Sequence, residues 1–191
     1  MKNKILETER LYFRRLERTD YEALSRILQD EETMYAYNGA FSDVETVDWM
    51  ERQLKRYEEY DGFGFWAVIL KETDEMIGQC GLTLQSWKER RILEIGYLFQ
   101  KRFWHKGYAA EAARACKEYA FTRLGADEVF SMIRETNAAS RRVAEKNGMT
   151  VVDTWIKHYR GAEMPHLLYS VKNNIKNGLQ NMQKDNKIKT V

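Results

Sequence analysis

Short runs of this chain alternate apolar and polar residues one by one, others space them as a helix does, and the two kinds of run interleave from end to end. Residues 11–16 read as a strand. Thr19 and Glu22 have the spacing of a capping box, which predicts a helix with Leu24, Ile27 and Leu28 on its apolar face. Ser42 and Glu45 repeat that signal ahead of Val47, Met50, Leu54 and Tyr57, and the stretch 34–41 between the two helices reads as a loop. Residues 65–70 and 76–82 form a hairpin pattern in which Gly78 and Gly81 permit a bend or a close approach. In residues 92–98 alternation puts Glu94, Gly96 and Leu98 on one face and Leu93, Ile95 and Tyr97 on the other. An alanine-rich helical pattern then runs to about Leu124, stopped by Gly125. Residues 128–133 read as another strand, Asn137 caps a short helix ended by Asn147-Gly148, and residues 151–157 and 166–171 make a final hairpin around Gly161 and Pro165. Strands interleaved with helices give an α/β pattern.

Composition narrows the class. A chain of 191 residues that is 43% hydrophobic and 31% charged suits one soluble domain with a sizeable core. A formal charge of +2 gives no strong nucleic-acid signal, and no apolar run approaches the ~20 residues of a membrane span. The start, Met-Lys-Asn-Lys-Ile-Leu-Glu, lacks a secretory stretch, so a cytoplasmic protein is expected. Cys80 and Cys116 read as small core residues, and His105, His158 and His166 lack metal-ligand spacing, so no metal is expected.

Chemistry concentrates in residues 99–111, Phe-Gln-Lys-Arg-Phe-Trp-His-Lys-Gly-Tyr-Ala-Ala-Glu, the turn from the 92–98 strand into the alanine-rich helix. Gly107 admits backbone angles closed to other residues, and Ala109 and Ala110 keep side chains away from the helix start. The first N–H groups of a helix have no intrahelical partner and sit at its positive end, which suits a phosphate. Lys101, Arg102 and Lys106 add charge. The turn has neither the Gly-Lys-Ser/Thr ending of a Walker A loop nor the three glycines of a dinucleotide fold.

Trp104-His105-Lys106-Gly107-Tyr108-Ala109 resembles the acyl-CoA pyrophosphate loop of the GNAT family of N-acetyltransferases, Gln/Arg-x-x-Gly-x-Gly/Ala. Its Trp-first form followed by Gly-Tyr-Ala-x-Glu-Ala is similar to the ribosomal-protein N-terminal acetyltransferases of the RimJ and RimL type. Asn137-Ala138-Ala139-Ser140, then Glu145-Lys146-Asn147-Gly148-Met149, resembles the family's next motif, with Met149 in place of Phe and, in the loop, His105 in place of a common Gly. The resemblance implies a GNAT domain over residues 1–171, built as a mixed twisted sheet with helices on both faces. Residues 172–191, with five Lys against one Asp, form a basic extension.

It also implies a chemistry. Acetyl-CoA would be the acetyl donor, its pyrophosphate held by His105, Lys106, Gly107, Tyr108, Ala109 and Ala110. Its pantetheine arm would pair with main-chain groups of Leu98, Phe99 and Gln100, and Asn137 would help hold it. An N–H near Leu98 would steady the thioester oxygen while an amine attacks directly through a tetrahedral intermediate. Glu94 is the candidate general base, or else a structural partner of Arg90, Arg91 or a group across the sheet. Ser140 would protonate the departing sulfur, since the Tyr used by other members falls at Ala144. The acceptor is a protein or peptide N-terminus, or a small amine such as a polyamine or aminoglycoside, for which Asp30, Glu31 and Glu32 offer negative charge. A CoA-binding module without catalysis is a third reading. Tyr35, Tyr37 and Phe41 are candidate acceptor contacts or plain packing, and monomer and homodimer both remain open.

Overall fold

The computed structural model describes residues 4–60 and 62–173. Eight strands form one sheet: β1 (Lys4–Glu7), β2 (Leu11–Arg15), β3 (Phe65–Leu70), β4 (Glu75–Trp87), β5 (Arg90–Phe99), β6 (Glu128–Arg134), β7 (Thr150–Tyr159) and β8 (Ala162–Lys172), in the order β1-β2-β3-β4-β5-β6-β8-β7. Neighbours are antiparallel except β5 and β6, so the sheet is mixed. The helices are α1 (Tyr21–Leu28), α2 (Glu31–Met34), α3 (Asp43–Glu59), α4 (Tyr108–Thr122) and α5 (Ala138–Lys146). Adjacent residues of β4 show how they are distributed. Trp49 of α3 donates its indole N–H to Gln79 Oε1 at 3.2 Å, and Cys80 meets Cys116 of α4 with its sulfurs 3.5 Å apart. Successive strand residues point to opposite faces, so α3 and α4 cover the sheet from opposite sides. With both faces covered, β3 is buried along its whole length, which explains its unbroken apolar run. Cys80 and Cys116 are free thiols buried in this core, and burial pushes the Cys80 pKa up.

Local signals hold in the fold where nothing distant competes with them. The Ser42–Glu45 capping box is present at the start of α3. Its buried strip is Thr46, Met50, Gln53 and Tyr57, and Val47 faces out. The Thr19–Glu22 box does not form. Instead a 3-10 turn, Arg18–Asp20, precedes α1, boxed by Glu17 and Asp20. Arg14 draws Asp20 inward with two bonds of 2.7 Å between buried side chains, which shifts the helix start to Tyr21. The 34–41 segment is more ordered than a loop: Asp30 caps α2 by accepting from Thr33 N–H, and a 3-10 turn, Tyr35–Tyr37, follows. Residues 174–191 of the expected basic extension lie outside the described residues.

Candidate active site

β5 and β6 meet at a single register pair, Glu94↔Phe130, although β5 stays paired with β4 from Arg90 to Phe99. Beyond Glu94 the parallel strands part into a fork. Two side chains take over the main-chain bonds that would have continued the ladder: Ser131 Oγ donates to Ile95 O at 2.9 Å, and Glu94 Oε1 accepts from Met132 N–H at 3.2 Å.

One bond fixes which β5 groups face the fork. Gln100 N–H donates to Ile77 O at 3.0 Å, and the register runs without a shift back to Arg90. Alternate residues therefore turn their main chain toward β4, namely Gln100, Leu98, Gly96 and Glu94, while Phe99, Tyr97 and Ile95 turn theirs toward the fork. Phe99 O accepts the Trp104 indole N–H at 2.8 Å. This corrects the expectation for the pantetheine arm at Leu98 and Gln100 only; Phe99, whose N–H adjoins Leu98, faces the fork. Leu98 is paired with Gln79 of β4, and Gln100 gives its N–H to Ile77 O and takes Phe103 N–H on its carbonyl at 2.9 Å, so Tyr97 with the Phe99 N–H is what an added strand would meet. The Gln100 side chain is buried and donates to Met76 O at 2.7 Å.

The turn after β5 has the donor geometry expected of it. His105 and Gly107 are left-handed, at φ 61° and 83°, and among the described residues no acceptor takes the N–H groups of His105, Lys106, Gly107, Tyr108, Ala109 or Ala110. Histidine tolerates that conformation better than most residues, so it can stand where a glycine is common. The turn is clasped from the β1–β2 connection, which no local pattern in the chain places beside it. Arg10 donates from Nη1 to Lys106 O at 3.0 Å and from Nε to Glu111 Oε2 at 2.7 Å, and its guanidinium lies 4.5 Å over the Tyr108 ring. Glu111 Oε1 also accepts from Thr8 Oγ1 at 2.6 Å and Arg10 N–H at 3.0 Å. Burial works to raise the Glu111 pKa, but these bonds outweigh it and hold the carboxyl below its ordinary value.

On the α4 side of the sheet, Asn137 Oδ1 caps α5 by accepting from Ser140 N–H at 3.0 Å, and Tyr97 donates its hydroxyl to Ser140 O at 2.9 Å. Among the described residues the Ser140 hydroxyl and the Asn137 amide nitrogen make no hydrogen bond. Ala144 is buried.

Glu94 lies on the opposite face of β5 from Tyr97. It is half-buried, bonded to Thr83 Oγ1 at 3.3 Å and to Met132 N–H, with no ion pair to Arg90 or Arg91. Burial raises its pKa, with the Met132 N–H bond and the charges of Lys157 and Arg56 opposing. Over it lies the 35–41 segment. Arg134 donates to Tyr35 O at 2.8 Å, and Arg160 reaches Gly39 O at 3.2 Å and Glu45 Oε1 at 2.7 Å while lying 5.4 Å over the Phe41 ring. Tyr37 and Phe41 pack edge-on against Trp49, and only Tyr35 is well exposed. The acidic run is engaged internally: Asp30 caps α2, Glu31 accepts from Ala40 N–H, and Glu32 pairs with Lys101. Among the described residues no three His, Cys, Asp or Glu side chains group to hold a metal, and no helix is long and apolar enough to cross a membrane. A hollow of about 810 Å³ lies apart from the fork, beside β1 and α4.

A strand pair that opens after one contact, with a donor-rich turn where the strand passes to its helix, defines the acyl-CoA N-acyltransferase class of fold. Residues 10–150 match the family model described as "Acetyltransferase (GNAT) domain", and the chain belongs to that family. It is 37% identical over 145 residues to YkkB of Bacillus subtilis (strain 168), covering 75% of this chain and 84% of that protein. A crystal structure of an acetyltransferase from Agrobacterium tumefaciens str. C58 superposes with a TM-score of 0.75 at 26% identity, over 91% of this chain and 96% of the other. RimL, a ribosomal L7/L12 α-N-protein acetyltransferase in complex with coenzyme A, shares the fold with a TM-score of 0.72 at 16% identity, over 89% and 98%. The protein is an acetyl-CoA-dependent N-acetyltransferase.

Proposed function

We propose that the protein acetylates the α-amino group of a protein or peptide N-terminus. The observation that carries this reading is Glu94, a half-buried carboxylate with a raised pKa at the apex of the fork, beneath the 35–41 segment. The unpartnered N–H groups from His105 to Ala110 fit the donor's pyrophosphate, and Tyr97 with Phe99 N–H fits the amide-bearing arm as an added strand does. Bound there, acetyl-CoA supplies a thioester as the activated acetate. Glu94 takes the proton of the incoming amine, directly or through a water, as nitrogen forms its bond to the acetyl carbon and the carbon–sulfur bond breaks. Ser140 Oγ passes a proton to the departing thiolate from the other face of β5 and is reprotonated from solvent, while Glu94 releases the amine's proton to solvent, so that coenzyme A leaves as the free thiol. Asn137 keeps Ser140 in position through the cap and offers its amide nitrogen to the arm.

An α-amine suits a single carboxylate base. At pH 7 its deprotonation costs about 1 kcal/mol from a reference pKa near 7.8, against about 5 kcal/mol for a lysine-type amine near 10.4. The polyamine reading loses its acidic cluster, because Asp30, Glu31 and Glu32 are engaged internally. The test is thiol release from acetyl-CoA with a panel of N-terminal peptides, spermidine and an aminoglycoside. Turnover with peptides blocked at every lysine but free at the N-terminus is the expected result. Turnover confined to the small amines refutes the proposal.

A further inference from the structure

Around Glu94 and Tyr35 stand cationic side chains whose contacts are all to neutral groups. Arg134 donates to Tyr35 O, Arg56 donates to Gln53 Oε1 at 3.3 Å, and Lys157 lies 5.4 Å over the Tyr159 ring. Arg56, Lys157 and Arg134 are half-buried, and Arg142 nearby is exposed. Among the described residues none of the four lies in an ion pair. The carboxylates of this side of the molecule go elsewhere: Glu45 to Arg160, Glu32 to Lys101, Glu163 to His158. Glu94 pairs with Phe130, Arg134 four residues further on pairs with His166, and His166 pairs with Trp155, two residues before Lys157, so Glu94, Arg134 and Lys157 share the face of the sheet that α3, with Arg56, covers. Glu94 is one carboxylate among several of these cations and forms no ion pair with them, and partly desolvated cations in excess of their counter-charge are unfavourable. An anion entering the same region relieves that cost and gains charge-assisted bonds. A polycation entering it meets repulsion.

We infer that the acceptor carries a carboxylate close to its reactive amine, held by Lys157, Arg56 and Arg134 while the amine faces Glu94. This rests on the N-acetyltransferase reading given above and sharpens it to acidic acceptors. Two sources share the chemistry: a peptide with Asp or Glu directly after its first residue, and a free amino acid with an acidic side chain. Lys157 is the specificity-determining residue best suited to a test, because it sits on the β7–β8 hairpin, away from Glu94's own hydrogen bonds.

The experiment measures thiol release from acetyl-CoA with three peptides that differ only at positions two and three (Asp-Glu, Gly-Gly, Lys-Lys), and with free glutamate. The expected kcat/KM is at least tenfold higher for the acidic than for the lysine peptide, with the advantage shrinking as salt rises. Lys157→Gln lowers the acidic-to-neutral ratio about tenfold, equivalent to ~1.4 kcal/mol, and Lys157→Glu lowers it further. Acetyl-CoA raises the Tm of both variants as it does the parent's, showing that they fold and bind the donor. Free glutamate outrunning the acidic peptide supports the inference with the small molecule as source, and the reverse supports it with the peptide. Equal rates for the acidic and lysine peptides, or a ratio untouched by Lys157→Gln, overturn the inference while leaving the acetyltransferase reading in place. No turnover with any acceptor overturns both.

Discussion

Glu111→Gln tests the clasp between Arg10 and the donor turn. In the parent, Oε2 accepts the Arg10 Nε–H at 2.7 Å and pairs with Nη2 at 2.6 Å, and Oε1 accepts from Thr8 and the Arg10 main chain. Glutamine can keep the Oε1 bonds, but its amide nitrogen then faces two guanidinium donors. A hydrogen bond to a charged group contributes about 1.5–3 kcal/mol. The Arg10 side chain is 42% exposed, so water compensates part of the loss and the net cost is about 2 kcal/mol. For a chain of this size that lowers Tm by roughly 4–8 °C. The same arginine holds Lys106 O, so the turn loses preorganisation and the KM for acetyl-CoA rises about tenfold, with the KM for the acceptor little changed. Calorimetry and steady-state kinetics read both effects. The folded Glu111 carboxyl titrates below its ordinary value of 4.5, so its stabilisation is present above that value and is lost as pH falls through the folded pKa. Glutamine does not titrate, and the Tm gap between the two proteins therefore closes in acid. An unchanged Tm together with an unchanged KM for acetyl-CoA refutes the clasp.

Glu94→Gln keeps an acceptor for Met132 N–H but removes the base, so kcat falls about a hundredfold with donor binding retained. Because burial raises the Glu94 pKa, its ionisation destabilises the fold as pH rises through that value, and the variant is expected to melt higher than the parent at pH 8. A parent-like rate identifies Glu94 as structural only. Ser140→Ala lowers kcat several-fold and leaves Tm unchanged, since its hydroxyl makes no internal bond; equal loss of Tm and rate removes it from the mechanism. Gly107→Val places a β-branched residue at φ 83° and a Cβ 3.4 Å from Arg10 Nη2, so donor affinity falls with about 1–2 kcal/mol of strain. Unaltered affinity, read by titration calorimetry, means that the turn does not hold the donor.

What was legible in the sequence was local. The Ser42 box, the Gly107 turn and the Asn137 cap each involve residues a few positions apart, and each is found where its spacing placed it. The Thr19 box failed because a buried arginine, Arg14, bid for Asp20 more strongly than Thr19 competed for the helix start. Arg10 and Thr8 were missed because they meet Glu111 across about a hundred positions, and no periodicity carries that information. The direction of the β5 main chain was equally hidden. Alternation in the sequence sorts side chains between faces, but which N–H groups point to which neighbour depends on register, and Gln100 fixes it only once β4 is in place.

The fork explains why one carboxylate can serve both the fold and the reaction. Where β6 leaves β5, Met132 N–H would lie half-buried without a partner, a penalty of up to about 1–3 kcal/mol. Glu94 fills that need from β5, and Ser131 answers it in reverse at Ile95 O. The bond that keeps the strands apart is therefore the bond that fixes the carboxylate beside the opening, with its second oxygen turned to Thr83. A base placed this way needs no separate scaffold. It follows that a substitution able to accept from Met132 N–H but unable to take a proton separates the two duties, whereas Glu94→Ala removes both and opens a cavity besides. If the fork is held as described, the alanine protein is less stable than the glutamine protein while being no less defective in catalysis.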